Sequence, residues 1–568
     1  MEVTSRLNPL EQISPQMIER VEVMSNPSAE YSAESMGGIV NIILKTPSQA
    51  ARTMMKLSAG SYNGVPQYSV FGQQEGKEKK LAYILNTTLV DSLQSDSSQI
   101  NSNSSRDSIN SASKTQSVNL TSKLIYTQSP KEKYSFDLSL SGNKNESVEN
   151  RDGLAQTMMK NQDDGNGWSL RSKLSGAHHL QNNDLLDWKV VYFNNSSQGE
   201  IQTDDGVQVM RQDDKSSIER FGGEVSYSKA VDQHFFKTGL NTKFLVQNDL
   251  VQNISQKMNE AQYSGYLQDE ITVGENLMLT PGIRYEYSAI NLDKKVDISY
   301  LAPSLHGIYH ITSKDNFRAS FAKTVKLPRL NELTSLIDKN LQENDLNHPD
   351  KAGNPNLKEE SALSYELRYE HFFDKRGIVS VSAFYRDISD KIEKLTTYEN
   401  LRYVERPYNA GEGKLWSMDL EFKNSLNSLV QGLSIFGNMT LQDSSLDSAS
   451  SKRPIKGTSK CLYNLGIDHN LADYKLNYGA SYRYVGGYSD PVDEKGISET
   501  QKAYGVLDLY AMKRLNPTFK LGMHLKNINH ETIQTTTNSY DGSGTLLLTQ
   551  RDYQDTKATI LFTLEGKW

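Results

Sequence analysis

The sequence predicts an all-β protein, an antiparallel transmembrane β-barrel of about 22 strands preceded by a short N-terminal segment. Three patterns point there together. Apolar and polar residues alternate one by one through most of the chain after Pro47. The connectors between these runs switch between short and long, and tyrosines gather on apolar faces near the ends of runs. Period-two alternation gives a strand one apolar and one polar face, whereas a helix would scatter the same charges over every side.

Taken in order, residues 18–46 read IERVEVMSNPSAEYSAESMGGIVNIILKT: two short apolar runs, 21–24 and 39–44, flank a small-residue loop closed by Gly37 and Gly38. In residues 135–141, Phe136, Leu138 and Leu140 share one face, with Asp137 and serines on the other. Leu363, Tyr365, Leu367 and Tyr369 alternate with Ser364, Glu366, Arg368 and Glu370. Phe519, Leu521, Met523 and Leu525 alternate with Lys520, Gly522, His524 and Lys526. The closing run sets Ala558, Ile560, Phe562, Leu564 and Trp568 against Thr559, Thr563, Glu565 and Lys567, with Leu561 out of phase.

Connector lengths separate one barrel from several sandwiches. Short connectors fall at 75–78, 130–131, 231–232, 274–275, 313–315, 374–376 and 515–517; long ones at 91–114, 143–167, 198–215, 325–358, 391–411 and 529–556. Sandwiches have no reason to gather long loops at one end. An outer-membrane barrel does, with tight turns on the periplasmic side. Tyr285, Tyr287, Tyr478, Tyr482 and Tyr484 suit the headgroup layer. Lipid offers the backbone no partner, so the sheet must close.

Composition agrees. Hydrophobic residues make up 36% and mean hydropathy is −0.61; no apolar run is long enough for a transmembrane helix, and a barrel needs only one apolar face per strand. The net charge of −7 argues against a nucleic-acid partner, which requires a basic face. The lone Cys461 excludes an internal disulfide framework and a multi-cysteine metal site. His306 and His310 are four residues apart, roughly 13 Å on a strand and too far for one ion. His178 and His179 fall at a turn with rings to opposite sides. The loops DDGNG (163–167) and DGSG (541–544) lack ion-loop spacing and read as turns. No catalytic motif is present, so no enzyme activity, cofactor or metal is predicted. Residues 91–114 are polar and of low complexity, and read as a mobile outer loop. Residues 325–358 carry Leu327, Pro328, Arg329, Leu330, Glu332, Leu333 and Leu336, and read as a loop with a short helix over the mouth.

Residues 18–46 resemble the end of the plug domain of TonB-dependent outer-membrane receptors. RASFAKTVKLPRLNELTSL, GNPNLKEESALSYELRYEHFF, VSVSAFYRDISDKIEKL and YNAGEGKLWSMDLEF follow in the order of that family's mid-barrel strands. The resemblance implies a C-terminal plug remnant over 1–46, in or near the lumen, and a barrel over 47–568. It implies plug–barrel contacts at Arg20, Glu22, Gly37 and Gly38, with Arg20 and Glu22 offering ionic partners to the lumen charges Arg284, Glu286, Glu366, Arg368 and Glu370. Phe562 and Trp568 stand where the family's assembly signal lies, implying the barrel-assembly machinery as a partner. The implied function is energy-coupled uptake of a scarce ligand such as an iron chelate, driven by a TonB-type inner-membrane protein. The TonB box, the earlier plug strands and a signal peptide are expected upstream of Met1, in a longer reading frame. The alternative is a passive outer-membrane pore or a docking barrel. No loop announces the ligand.

Overall fold

A computed structural model describes residues 17–568 apart from 102–105, 153–158, 182–183, 205–208, 253, 293, 341–343, 345–348, 374–376, 449–451, 493–495, 542 and 556. Twenty-two antiparallel strands close into one barrel, and there is no α-helix among the described residues. Closure is made where the strand Arg52–Tyr62 meets the last strand, Thr559–Lys567, in register from Met54↔Lys567 to Ser61↔Ile560. Thr53 and Trp568 extend that ladder by exchanging backbone hydrogen bonds of 2.9 and 3.0 Å. Every strand therefore has two neighbours, and no edge is left to lipid.

The alternation read from the sequence maps onto the two faces. Leu363, Tyr365, Leu367 and Tyr369 lie exposed on the outer face, while Ser364 and Glu370 are buried inside. On the strand Lys295–His310, Leu301 and Leu305 face outward, and Tyr300, Ala302 and Ser304 are buried. Two elements stand apart from the barrel sheet. β1 (Ile18–Met24) and β2 (Ile39–Leu44) pair only with each other. A four-stranded sheet of Ile337–Asp338, Asp350–Ala352, Arg402–Asn409 and Ile392–Glu399 is built from loops at the opposite end to the short turns.

The connectors differ from expectation at both ends of the barrel. Residues 91–114, read as a mobile loop, belong largely to the strands Leu81–Asn101 and Arg106–Ser129, paired from Leu81↔Tyr126 to Asn101↔Arg106. The described residues of the connectors at 143–167 and 198–215 likewise belong to long strands. Above the lipid both faces are wet, so these segments keep the backbone ladder without any apolar alternation. Conversely, the first outer connector is only Asn63-Gly64, both at positive φ (49° and 87°), a two-residue hairpin turn. The turn expected at 75–78 lies at Lys79-Lys80, because Gly76 is held in the ladder opposite Tyr83. Over the mouth, the helix expected in 325–358 is, among the described residues, a 3-10 turn, Leu330–Glu332.

The lipid-facing belt makes a direct prediction. Leu367 sits mid-strand in Glu360–Phe373 and is 53% exposed on the outer face. Leu367→Arg should lower the stability of the barrel refolded into vesicles by about 2–4 kcal/mol. A denaturant titration showing no change would mean that this face does not meet lipid.

Candidate functional site

The candidate site is the contact between the opening segment and the inner wall. The short side chains of Ser28, Ala29, Ser32, Ala33 and Ser35 let the loop between β1 and β2 approach the strand Leu277–Asn291. Gly38 turns this loop at φ +86°, and a Cβ there would stand 2.8 Å from the Met24 carbonyl oxygen. On the wall, a Cβ at Gly282 would stand 2.7 Å from the Ala29 Cβ, so a glycine is required where the two backbones approach.

One buried polar knot joins the two. Arg284 Nε donates to Glu286 Oε1 at 2.5 Å, with side chains only 5% and 8% exposed. Glu286 Oε1 also accepts the Ala33 N–H at 3.0 Å and the Ser32 hydroxyl at 3.1 Å, and Tyr300 donates to Oε2 at 2.6 Å. Arg284 donates to the Ala29 carbonyl at 3.3 Å and to Ser264 Oγ at 2.6 Å, and lies over the Tyr266 ring. Further ties flank it. Glu30 pairs with Lys237, Glu34 accepts from Gln262, and Asn26 donates to Ser320 Oγ at 2.8 Å. The Val325 N–H donates to the Ala33 carbonyl at 2.8 Å, linking the opening segment to the root of the mouth loop. Ala33 also joins a buried apolar cluster with Ile290, Ile298, Val325, Leu330 and Leu333.

The residues singled out from sequence divide in two. Arg284 and Glu286 are brought onto the opening segment. Arg20 and Glu22 are not: they pair with each other at 2.7 Å on exposed β1, and Asn41 donates to Glu22 at 3.1 Å. On the wall, Glu366 pairs with Arg368 at 3.3 Å and Glu370 with Arg318 at 2.8 Å. Gly37 adjoins open space. In the mouth loop Pro328 is fully buried, and the Arg329 N–H donates to Glu332 Oε2 at 2.8 Å. Phe562 faces outward, and Trp568 packs edge-to-face on Phe519 with centroids 5.9 Å apart. Ala29, Glu30, Ser32, Ala33 and Glu34 were missed. Their only signal is a run of small residues with two carboxylates four apart. The described residues contain no group of side chains placed to hold a metal ion.

Residues 76–528 match the model of the family described as TonB dependent receptor-like, beta-barrel. The chain belongs to the TonB-dependent receptor family. It is a protein of the outer membrane, crossing it as a closed barrel. An iron-regulated outer membrane virulence protein of Vibrio cholerae serotype O1 is 22% identical over 508 residues, covering 84% of this chain and 70% of the relative. The fold matches the ferric enterobactin receptor of Pseudomonas aeruginosa in complex with enterobactin, with TM-score 0.72, 15% identity, and coverage of 97% of this chain and 86% of that one. The siderophore receptor PirA of the same organism gives TM-score 0.70 and 16% identity, covering all of this chain and 89% of its own. At identities this low the likeness is one of fold.

The knot predicts two outcomes in this receptor. Glu286→Ala leaves Arg284 buried without its carboxylate and should destabilise the folded chain by about 3–5 kcal/mol. Arg284→Met with Glu286→Leu should recover much of that in thermal unfolding. Burial pushes the Glu34 carboxyl up to about 7, Glu286 and Glu260 add to the shift, and Lys243 opposes it. Its folded value is raised, so the loop's docking is fully supported below the ordinary 4.5 and is weakened as pH rises through about 7. Amide exchange at residues 29–34 should therefore speed up across that window in the wild type. Measured at the same pH values, Glu34→Gln should lose the extra dependence; an identical profile in the variant would refute the assignment.

Proposed function

We propose that this receptor takes up a scarce ligand, of the iron-chelate class, by an energy-coupled movement of the opening segment against the barrel wall. The observation that carries the reading is the knot at Arg284 and Glu286. It closes on backbone and hydroxyl groups of residues 29–33, so the segment is held by a small set of directional bonds in a wet lumen. Such a contact is firm at rest and breaks as a unit when pulled, as a gate must. The iron-regulated relative and the siderophore receptors of like fold support the ligand class. Residues 1–46 then serve as the plug's last part, and a TonB-type protein of the inner membrane supplies the pull. Phe562 and Trp568 serve as the recognition end for the barrel-assembly machinery.

A second reading, a passive pore, draws on the lumen space beside the segment, where one cavity measures about 440 Å³. Two experiments separate the readings. In cells carrying the receptor, deleting the TonB-type partner should abolish uptake of the iron chelate while surface binding persists. Uptake continuing at the same rate would end the coupled reading. In planar bilayers the passive reading requires steady conductance from the chain.

A further inference from the structure

On the outer face of the barrel, three successive rows of side chains follow the order of an amphiphile: charged, aromatic, then apolar with gaps. Four neighbouring strands carry them, Asp315–Lys326, Glu360–Phe373, Gly377–Ser389 and Gly411–Ser425. In the row nearest the end opposite the short turns, Lys323 stands opposite Leu363, Leu363 opposite Asp387, and Asp387 opposite Lys414. Neither lysine makes an ion pair among the described residues, and Asp387 is the carboxylate that stands between them. Glu412, one row further out, accepts from the Ser389 hydroxyl at 2.9 Å. Three strand spacings separate the roots of the two lysines by roughly 14 Å.

Two residues along each strand, the next row is a ridge of rings. Phe321, Tyr365, Tyr385 and Trp416 stand side by side, with centroids 5.3 Å apart for Phe321–Tyr365 and 6.4 Å for Tyr365–Tyr385. Tyr and Trp suit the boundary between headgroups and hydrocarbon. One row deeper the bulk is lost. Gly307 is opposite Ala319, and Ala319 and Ala383 flank Leu367. Successive rows lie roughly 6.8 Å apart along a strand, so the missing side chains leave a groove beneath the ridge. It measures about 640 Å³, and Leu305, Leu367 and Met418 stand exposed around it.

We propose that this face holds one lipid of the outer leaflet, with phosphate groups at Lys323 and Lys414 and an acyl chain in the groove below the ridge. The barrel crosses the outer membrane, so its outer face meets membrane components and little else. A hydrocarbon chain has no hydrophobic reason to prefer protein to bilayer, and shape decides. The groove surrounds the chain with fixed contacts on its floor and on the ridge side, each small and together substantial. The lysine stems lie along the apolar wall and carry their ammonium groups to the phosphate layer, where charge-assisted bonds fix the headgroup. Two lysines so far apart select a headgroup phosphorylated at both ends, which places the ligand among acylated, diphosphorylated glycolipids. The site lies outside the lumen and stands independently of the uptake reading.

The test uses the full chain in detergent micelles, with diphosphoryl lipid A as the probe and native mass spectrometry as the readout. One lipid should be retained per chain, and the adduct should saturate. Ala319→Leu combined with Ala383→Leu fills the floor of the groove and should weaken retention by about tenfold. Lys323→Gln combined with Lys414→Gln leaves the groove open and should weaken it by about tenfold as well. Ala59→Leu, exposed on the distant strand Arg52–Tyr62, adds the same bulk elsewhere and should leave retention unchanged. All variants should keep the far-ultraviolet circular dichroism of the wild-type barrel. An adduct that never saturates, or unchanged retention in either double variant, overturns the proposal. Equal retention of diacyl phosphatidylglycerol would mark a general phospholipid contact and overturn it too. So would a lipid-free dimer that is lost on filling the groove, since the occupant would then be a second copy of the chain.

Discussion

Hydrocarbon offers no hydrogen-bond partner to a peptide group, and the architecture of this receptor follows from that constraint. Each strand must be paired along both sides, so the sheet closes on itself through the first and last strands. Closure with 22 strands makes a lumen too wide for wall side chains to fill. A separate segment must occupy part of it. Because the inward positions are polar, that segment is held by matched donors and acceptors more than by apolar burial. The knot at Arg284 and Glu286 is the consequence, and Gly282 is the space it needs.

Buried ion pairs recur at the mouth. Arg402 grips Asp350 with two bonds of 2.6 and 2.7 Å, Arg453 meets Glu393 at 2.6 Å, and Lys391 meets Glu360 at 3.1 Å. Such pairs add little net stability over apolar packing, but removing one partner is costly. They therefore specify one arrangement of the loops and make departures from it abrupt. The two ends respond oppositely to acid. Arg402 holds the Asp350 carboxyl below its ordinary range, so its support is present above that range and fades as pH falls. Glu34 is shifted upward, and protonation favours its docked state. Mild acid thus tightens the segment against the wall before it loosens the mouth.

Between the latch and the short turns, basic side chains from neighbouring strands line the lumen beside the opening segment. Strand geometry allows this, because alternate residues on neighbouring strands converge on one patch of lumen. Arg171 and Arg220 are far apart in sequence yet line the same cavity.

The outer face was legible from the order of residues alone. Leu363, Tyr365 and Leu367 alternate with Ser364, Glu366 and Arg368, and lipid on one side with water on the other enforces that order at every step. Closure and membrane location followed from it. The reach of the strands above the membrane was not legible. Residues 91–114 meet water on both faces there, and pairing through the backbone leaves no mark on side-chain pattern. Nor was the contact of the opening segment. Arg20 and Glu22 carry the visible charges, but the partners of Arg284 and Glu286 include the Ala29 carbonyl, the Ala33 amide and the Ser32 hydroxyl. Main-chain groups are the same in every residue, so only the folded backbone decides where they point.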